Sequence, residues 1–313
     1  MYFKEHERGS RNFLIYAGLT FALLNAAACS GLSQSTAKTV PPKPEPAKSA
    51  PNAEPTKESR VMSEKIISAI RGHDRTVLDQ ARSAPEGIAV EIDEVIGSLD
   101  NEAREIATEL VAMQDSKQAG TFLLRRTADT NVNVATVAVE NLGKIINKPE
   151  ANDLIAAIPE RPDAFVRGKM YLEAGNRQDE FVLDEIRRVS MDEKNNDVKL
   201  RSLAARAKRG GRQEISDFME VVRRTEPDDA LDIQALLLYI NNPKLAGALL
   251  PWLDNKEGVM RIGSDRQNMM ASMADVAVWT VHMLKIKLPF ETTHLRNYTP
   301  EEIETVRKLL QTI

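Results

Sequence analysis

Four histidines are the first residues to test for chemistry in this chain, because imidazole changes charge near neutral pH without help from its surroundings. His6, His73, His282 and His294 are widely spaced, and the one cysteine is Cys29. His282 follows Asp275 by seven residues and Trp279 by three, so on a helix the three share one face. An Asp–His pair can orient an imidazole as a general base. The same spacing describes a partly buried histidine beside an aromatic in a terminal helix, and that plainer reading is the expectation. His282 and His294 lack the close spacing of zinc motifs, and no second Cys can complete a site. Gly-x-Ser-x-Gly elbows, phosphate-binding glycine loops and dinucleotide fingerprints are absent from the sequence. The pairs Asp228-Asp229 and Glu301-Glu302 fall at expected helix starts, where the helix dipole favours negative charge. No catalytic residue, metal or cofactor is expected.

The densest charge pattern is cationic. From Val198 to Gln213 the chain carries Lys199, Arg201, Arg206, Lys208, Arg209 and Arg212 with no acid, within a protein of net charge −4. On a helix burying Leu200, Leu203, Ala204 and Ala207, residues Lys199, Arg206 and Arg209 point to one side, and Arg201 and Lys208 to the other. These six are candidate contacts for an acidic partner or anionic head groups. Basic residues in a last turn also offset the helix dipole. That accounts for Arg206, Lys208 and Arg209, and leaves Lys199 and Arg201. A second cluster, Met260, Met269, Met270, Met273 and Met283 beside Trp252 and Trp279, suits an adaptable surface or an irregular core. Core is expected.

The frame for these residues follows from composition. With 42% apolar and 28% charged residues among 313, the chain suits one large or two ordinary folded domains. It has two Trp, five Tyr and eight Phe, of which Tyr2, Phe3, Phe13, Tyr16 and Phe21 precede Cys29. The remainder is sparse for a β-sandwich or barrel, so a helical protein is expected. The mild acidity gives no nucleic-acid footprint.

Lys4, Arg8 and Arg11 precede an apolar run from Phe13 to Ala28, which ends in small residues before Cys29. That is the pattern of a secretory signal peptide, and the run is short for a membrane-spanning helix. Ala26 to Cys29 resembles the box of a bacterial lipoprotein leader, although Ala26 stands where Leu is usual. The resemblance implies a signal peptide over 1–28 and lipidation of Cys29 as the mature N-terminus. Ser30, in place of Asp, implies the outer membrane. Residues 29–57 then read as the lipidated Cys and a disordered tether containing Pro41, Pro42, Pro44, Pro46, Pro51 and Pro55. In polyproline conformation the tether can reach up to about 80 Å.

From Glu58 the apolar spacing becomes helical, and a period of about 32 residues emerges. Phe122, Leu154, Ile186, Phe218 and Leu250 fall in register, as do Ala107, Val139, Tyr171, Leu203 and Ala235. A third column runs Leu110, Leu142, Ala174, Arg206 and Leu238, where the arginine departs from the pattern. Two columns half a period apart imply two helices per unit. Pro149, Pro162, Pro227 and Pro243 mark helix starts, and Gly210-Gly211 separates the fourth pair. The expected fold over 58–313 is an all-α, right-handed α-solenoid of helical hairpins, with an atypical C-terminal cap over 258–313. Within the cap, Ser264 to Lys285 reads as one long helix, and Thr299-Pro300-Glu301-Glu302 opens the last.

From Asn101 to Asp254 the units resemble HEAT repeats. Pro162-Asp163-Ala164-Phe165-Val166-Arg167 is the closest copy of their Asp-x-x-Val-Arg opening. Asn196-Asp197-Val198-Lys199-Leu200-Arg201 is looser, and Asn131-Val132-Asn133-Val134-Ala135 keeps the hydrophobic part. Tetratricopeptide signatures are absent. Some HEAT-like proteins are enzymes, among them an iron hydroxylase with paired His-Glu motifs, but no His-Glu follows Cys29. The resemblance speaks to shape rather than chemistry. Together with the leader it makes non-catalytic protein binding the expected function, as a scaffold or assembly lipoprotein on the periplasmic side of a bacterial outer membrane. The cell surface and the outer leaflet of the inner membrane are the alternative locations. A periplasmic immunity-type inhibitor of a toxin is the second reading. An enzyme or enzyme accessory acting on cell-wall polymer is the third.

Overall fold

The computed structural model describes residues 56–313 except Glu86, Asp115 and residues 263–268. The leader, Cys29 and all of the tether before residue 56 lie outside the described residues. Among the described residues the regular structure is helical apart from one two-stranded sheet. Helix α1 (Lys57–Arg71) is followed by a 3₁₀ segment (Arg75–Ser83) and α2 (Ile88–Val95). Successive pairs follow: α3 (Asn101–Ala112) with α4 (Lys117–Arg126), and α5 (Val132–Leu142) with α6 (Ala151–Ala157). Next come α7 (Ala164–Gly175) with α8 (Val182–Ser190), and α9 (Asn196–Lys208) with α10 (Arg212–Arg223). Helix α11 (Ala230–Ile240) is paired with a 3₁₀ segment, Pro243–Asp254. A hairpin of β1 (Gly258–Ile262) and β2 (Met269–Ser272) leads to α12 (Met273–Met283) and α13 (Pro300–Leu310).

The leading helices of the pairs, α3, α5, α7, α9 and α11, start 31 to 34 residues apart. Four of them share one cap chemistry. The side chains of Asp100, Asn131, Asp163 and Asn195 accept hydrogen bonds from the amides of Ala103, Val134, Val166 and Val198. Each bond satisfies one free donor of a first turn. Gly210, at φ 83°, makes the turn between α9 and α10 that a side chain would strain. At the far end Thr299, Pro300 and Glu302 form the expected capping box.

Packing follows chain order. Helix α1 lies on α3, α3 on α5, α5 on α7, α7 on α9, α9 on α11, and α11 on α12. The second elements touch one another at α2 and α4, at α6 and α8, and at α10 and Pro243–Asp254. Phe122, Leu154, Ile186 and Phe218 are fully buried, and so are Ala107, Tyr171, Leu110, Leu142 and Ala174. In the later units the register drifts, and Leu203, Ala235, Leu238 and Leu250 are only half buried. The core forms two clusters that meet on α9, where Ala205 belongs to the first and Ala204 to the second.

Three local expectations are corrected. On α9 the buried residues are Val198, Ser202, Ala204, Ala205 and Ala207, whereas Leu200 and Leu203 sit at the half-exposed edge. The cause is the close approach of α7. A Cβ on Gly175 would lie 2.9 Å from the Ala205 Cα, so only small side chains fit at that crossing, whereas Gly168 gives room to the Arg201 stem. The partner of α11 is 3₁₀ rather than α-helical. Pro243 and Pro251 supply no amide hydrogen, and Pro251 lies inside the segment. No single helix runs from Ser264 to Lys285. Ser272 and Asp275 form a capping box that starts α12 at Met273, and the residues before it pair antiparallel with β1. Of the methionine cluster, Met273 is in the core with Trp252, while Met269 and Met270 are each 43% exposed on β2.

Candidate functional site

Arginine–carboxylate pairs fasten neighbouring units. Arg104, four residues beyond the α3 cap, lies 3.3 Å from Asp129, two residues before the α5 cap. Arg167 repeats the arrangement two units later. Its Nε and Nη2 donate to Glu193 at 2.9 and 3.2 Å, and Glu193 in turn accepts from the Lys194 and Asn195 amides. In the intervening unit the roles differ. Ala135 takes the arginine's place, and Arg161 donates to Thr127 Oγ1 at 2.7 Å and to the Leu124 carbonyl.

Between α8 and α10 the two apolar clusters are separated by a polar seam. The buried Glu214 accepts two bonds from Arg187, at 2.7 and 2.9 Å, and Arg206 lies 3.8 Å away. Hydrogen bonds from Arg167 hold the Glu193 carboxyl below the usual range, with partial burial opposing. Arg187 does the same to Glu214, and its own pKa rises. Burial lowers that of Arg206, against the attraction of Glu214. Both carboxylates therefore bind fewer protons in the folded protein than in the unfolded chain near pH 4.5, their ordinary value. Stability rises with pH through that region and falls as pH drops below it. Glu193→Gln and Glu214→Gln should each be less stable at neutral pH and lose less on acidification. Urea midpoints measured from about pH 7 to about pH 3 test this, and an unchanged acid slope would remove the clamps as its cause.

The six basic residues of the 198–213 window do not converge. Lys199 is exposed and Arg206 half-buried, and both line the seam. Arg201 lies on the opposite side of α9, over Gly168, where burial lowers its pKa and Asp232 and Asp197 offset the cost. Lys208 donates to the Tyr239 carbonyl and stands 4.2 Å above the Tyr239 ring centroid, a cation–π contact. Arg209 ties the end of α9 to the α7–α8 connection through the Gln178 and Asp179 carbonyls, at 3.2 and 3.3 Å. Arg212 is exposed at the start of α10. The expected grouping of Arg206 with Arg209 and of Arg201 with Lys208 is thus replaced by four separate environments.

The groove at the seam has two lobes. One, about 620 Å³, is lined by Met191, Leu200, Leu203 and Val221 together with Arg187, Lys199 and Arg206. The other, about 430 Å³, shares Leu200, Asp217 and Val221 with the first. It adds Ile233, Thr225, Arg224 and the acids Asp197, Glu220, Glu226, Asp229 and Asp232. Sequence reasoning passed over these acids because they come from α9, α10, the connection that follows it and α11. Only Asp228-Asp229 was conspicuous, as a helix-start signal.

The Asp275–His282 arrangement does not form a base. Asp275 is buried, accepting from the Ser272 amide and hydroxyl at 2.8 and 2.7 Å and from the Tyr298 amide at 2.7 Å, with Asn297 Nδ2 at 3.1 Å. It fastens the last connection to α12. His282 stacks on Trp279, centroids 5.3 Å apart, as expected for a histidine beside an aromatic. His73 Nε2 lies 2.7 Å from Asp100, and His294 Nδ1 lies 2.9 Å from Thr293 Oγ1. Among the described residues no group of His, Cys, Asp and Glu has the geometry of a metal site. No helix among them is long and apolar enough to cross a membrane. Comparison with protein-family models, curated proteins and solved structures finds no match.

Proposed function

We propose that this chain is a lipid-anchored, non-catalytic scaffold or assembly protein that binds protein partners at the extracytoplasmic face of a bacterial envelope. Its helical domain is read as a right-handed, HEAT-like α-solenoid, closed by the atypical unit from Gly258 to Ile313. The observation that carries this reading is the array of helix pairs, spaced 31 to 34 residues apart and begun by the same Asx caps. Units that bury their faces against neighbours build long, continuous surfaces, and such surfaces serve binding more than chemistry. The anchor is read from the leader and Cys29. Several acyl chains, each methylene contributing about 0.8 kcal/mol, make such attachment stable.

Two experiments test the reading. Cys29→Ser should abolish acyl labelling and leave the protein uncleaved or in the soluble fraction. Membrane association unchanged by the substitution, with no acyl label on the parent protein, would overturn the anchor. Crosslinking in intact cells should attach envelope proteins to exposed positions on the helical domain, and their absence would overturn the scaffold.

A further inference from the structure

We propose that the groove across α8, α9, α10 and the start of α11 is the docking site for a peptide segment of a partner protein that places a Lys or Arg beside apolar residues. This rests on the protein-binding reading above and gives it a surface and a partner chemistry. The floor is apolar, with Leu200 and Val221 common to both lobes and Ile233 at the inner end. Met191 stands on the lip, 78% exposed, and extends the apolar lining to the surface. Around the smaller lobe Asp197, Asp217, Glu226, Asp229 and Asp232 have no cation within ion-pair distance among the described residues, whereas Glu220 is held by Arg223 and Arg224.

Charge decides the occupant. Arg187 and Arg206 at the other lobe already face Glu214, which leaves Lys199 as the lone unpaired cation there among the described residues. The groove therefore favours a cationic partner, the reverse of the acidic partner expected from the 198–213 window. Five carboxylates have no ion-pair partner among the described residues, and of these Asp197 and Asp232 feel Arg201 only beyond ion-pair distance. They repel anionic head groups and attract a basic side chain, whose stem and neighbours cover the leucine and valine floor. Withdrawal from water raises the Asp232 pKa, with Asp229 and Asp197 adding and Arg201 opposing. A bound cation would reverse that rise.

The test is a phage-displayed random dodecapeptide library, panned on the full chain in detergent, with enriched peptides resynthesised for titration. Enriched peptides should join Lys or Arg to Leu, Ile, Met or Phe. Each should bind the double variant Asp217→Lys/Asp229→Lys at least about tenfold more weakly. Both aspartates are exposed, and an unchanged circular dichroism spectrum and urea midpoint would establish that the variant folds. No enrichment, enrichment of acidic peptides, or unchanged affinity for the variant would each overturn the proposal. A photocrosslinker in cells separates this failure from that of the scaffold reading. Partners captured from Val90, 48% exposed and far along the chain, but not from Met191 would leave the scaffold and remove the groove. Crosslinking of Met191 only to a second copy of the chain would also remove it.

Discussion

Phe218→Ala should destabilise the helical domain by about 3–5 kcal/mol, the usual cost of truncating a fully buried aromatic. Phe218 is 0% exposed on α10, within the second apolar cluster, beside Val222 and Trp252. Its neighbours have little freedom to collapse into the space. Trp252 is held by a hydrogen bond from its Nε1 to the Val222 carbonyl at 2.7 Å. On the side towards α8 the cluster ends at the Glu214 pairs, which are held by two hydrogen bonds from Arg187. The cavity persists, and the loss lies well above the transfer cost of the ring alone. Urea unfolding followed by circular dichroism measures it. A change below about 1 kcal/mol would mean that α10 does not present this face to the core.

Gly175→Ala should also destabilise, against the usual sign. Replacing glycine by alanine in a helix ordinarily gains about 0.5–1 kcal/mol from reduced backbone entropy in the unfolded chain. Here the new methyl would run into the Tyr239 hydroxyl and lie 2.9 Å from the Ala205 Cα. One obstacle is backbone, so α7 and α9 must separate, and overpacking of that kind costs about 1–3 kcal/mol or more. The steric cost outweighs the entropic gain, and a net loss of about 2 kcal/mol is expected. Adding Tyr239→Phe should recover only part of it. That change removes the oxygen but leaves Ala205 in place and forfeits the bond from Tyr239 to the Leu172 carbonyl. Full recovery would place the whole conflict at the hydroxyl. A stabilising Gly175→Ala would show that the helices are not in close contact there.

The helix pairs were legible because their signals are local. Proline and glycine breakers and apolar columns act within a few residues of where they stand, so Pro162, Gly210 and Phe122 each declared their role. The corrections share a different origin. Leu200 and Leu203 are kept to the edge of α9 by the close approach of Gly175, 25 and 28 residues earlier in the chain, to Ala205. The hairpin before α12 was missed because strand pairing depends on a second segment, Gly258–Ile262, rather than on the run itself. Charge behaved in the same way. The sequence alone determines the helix-pair period, the leader pattern and the number of cations between Val198 and Gln213. Tertiary structure decides which of those cations remain free. A guanidinium or ammonium reaches several ångströms from its backbone and pairs with whatever acid or carbonyl the fold brings near. Lys208 is thereby spent on Tyr239 and Arg209 on the α7–α8 connection, while acids from three separate elements gather unpaired around one apolar floor.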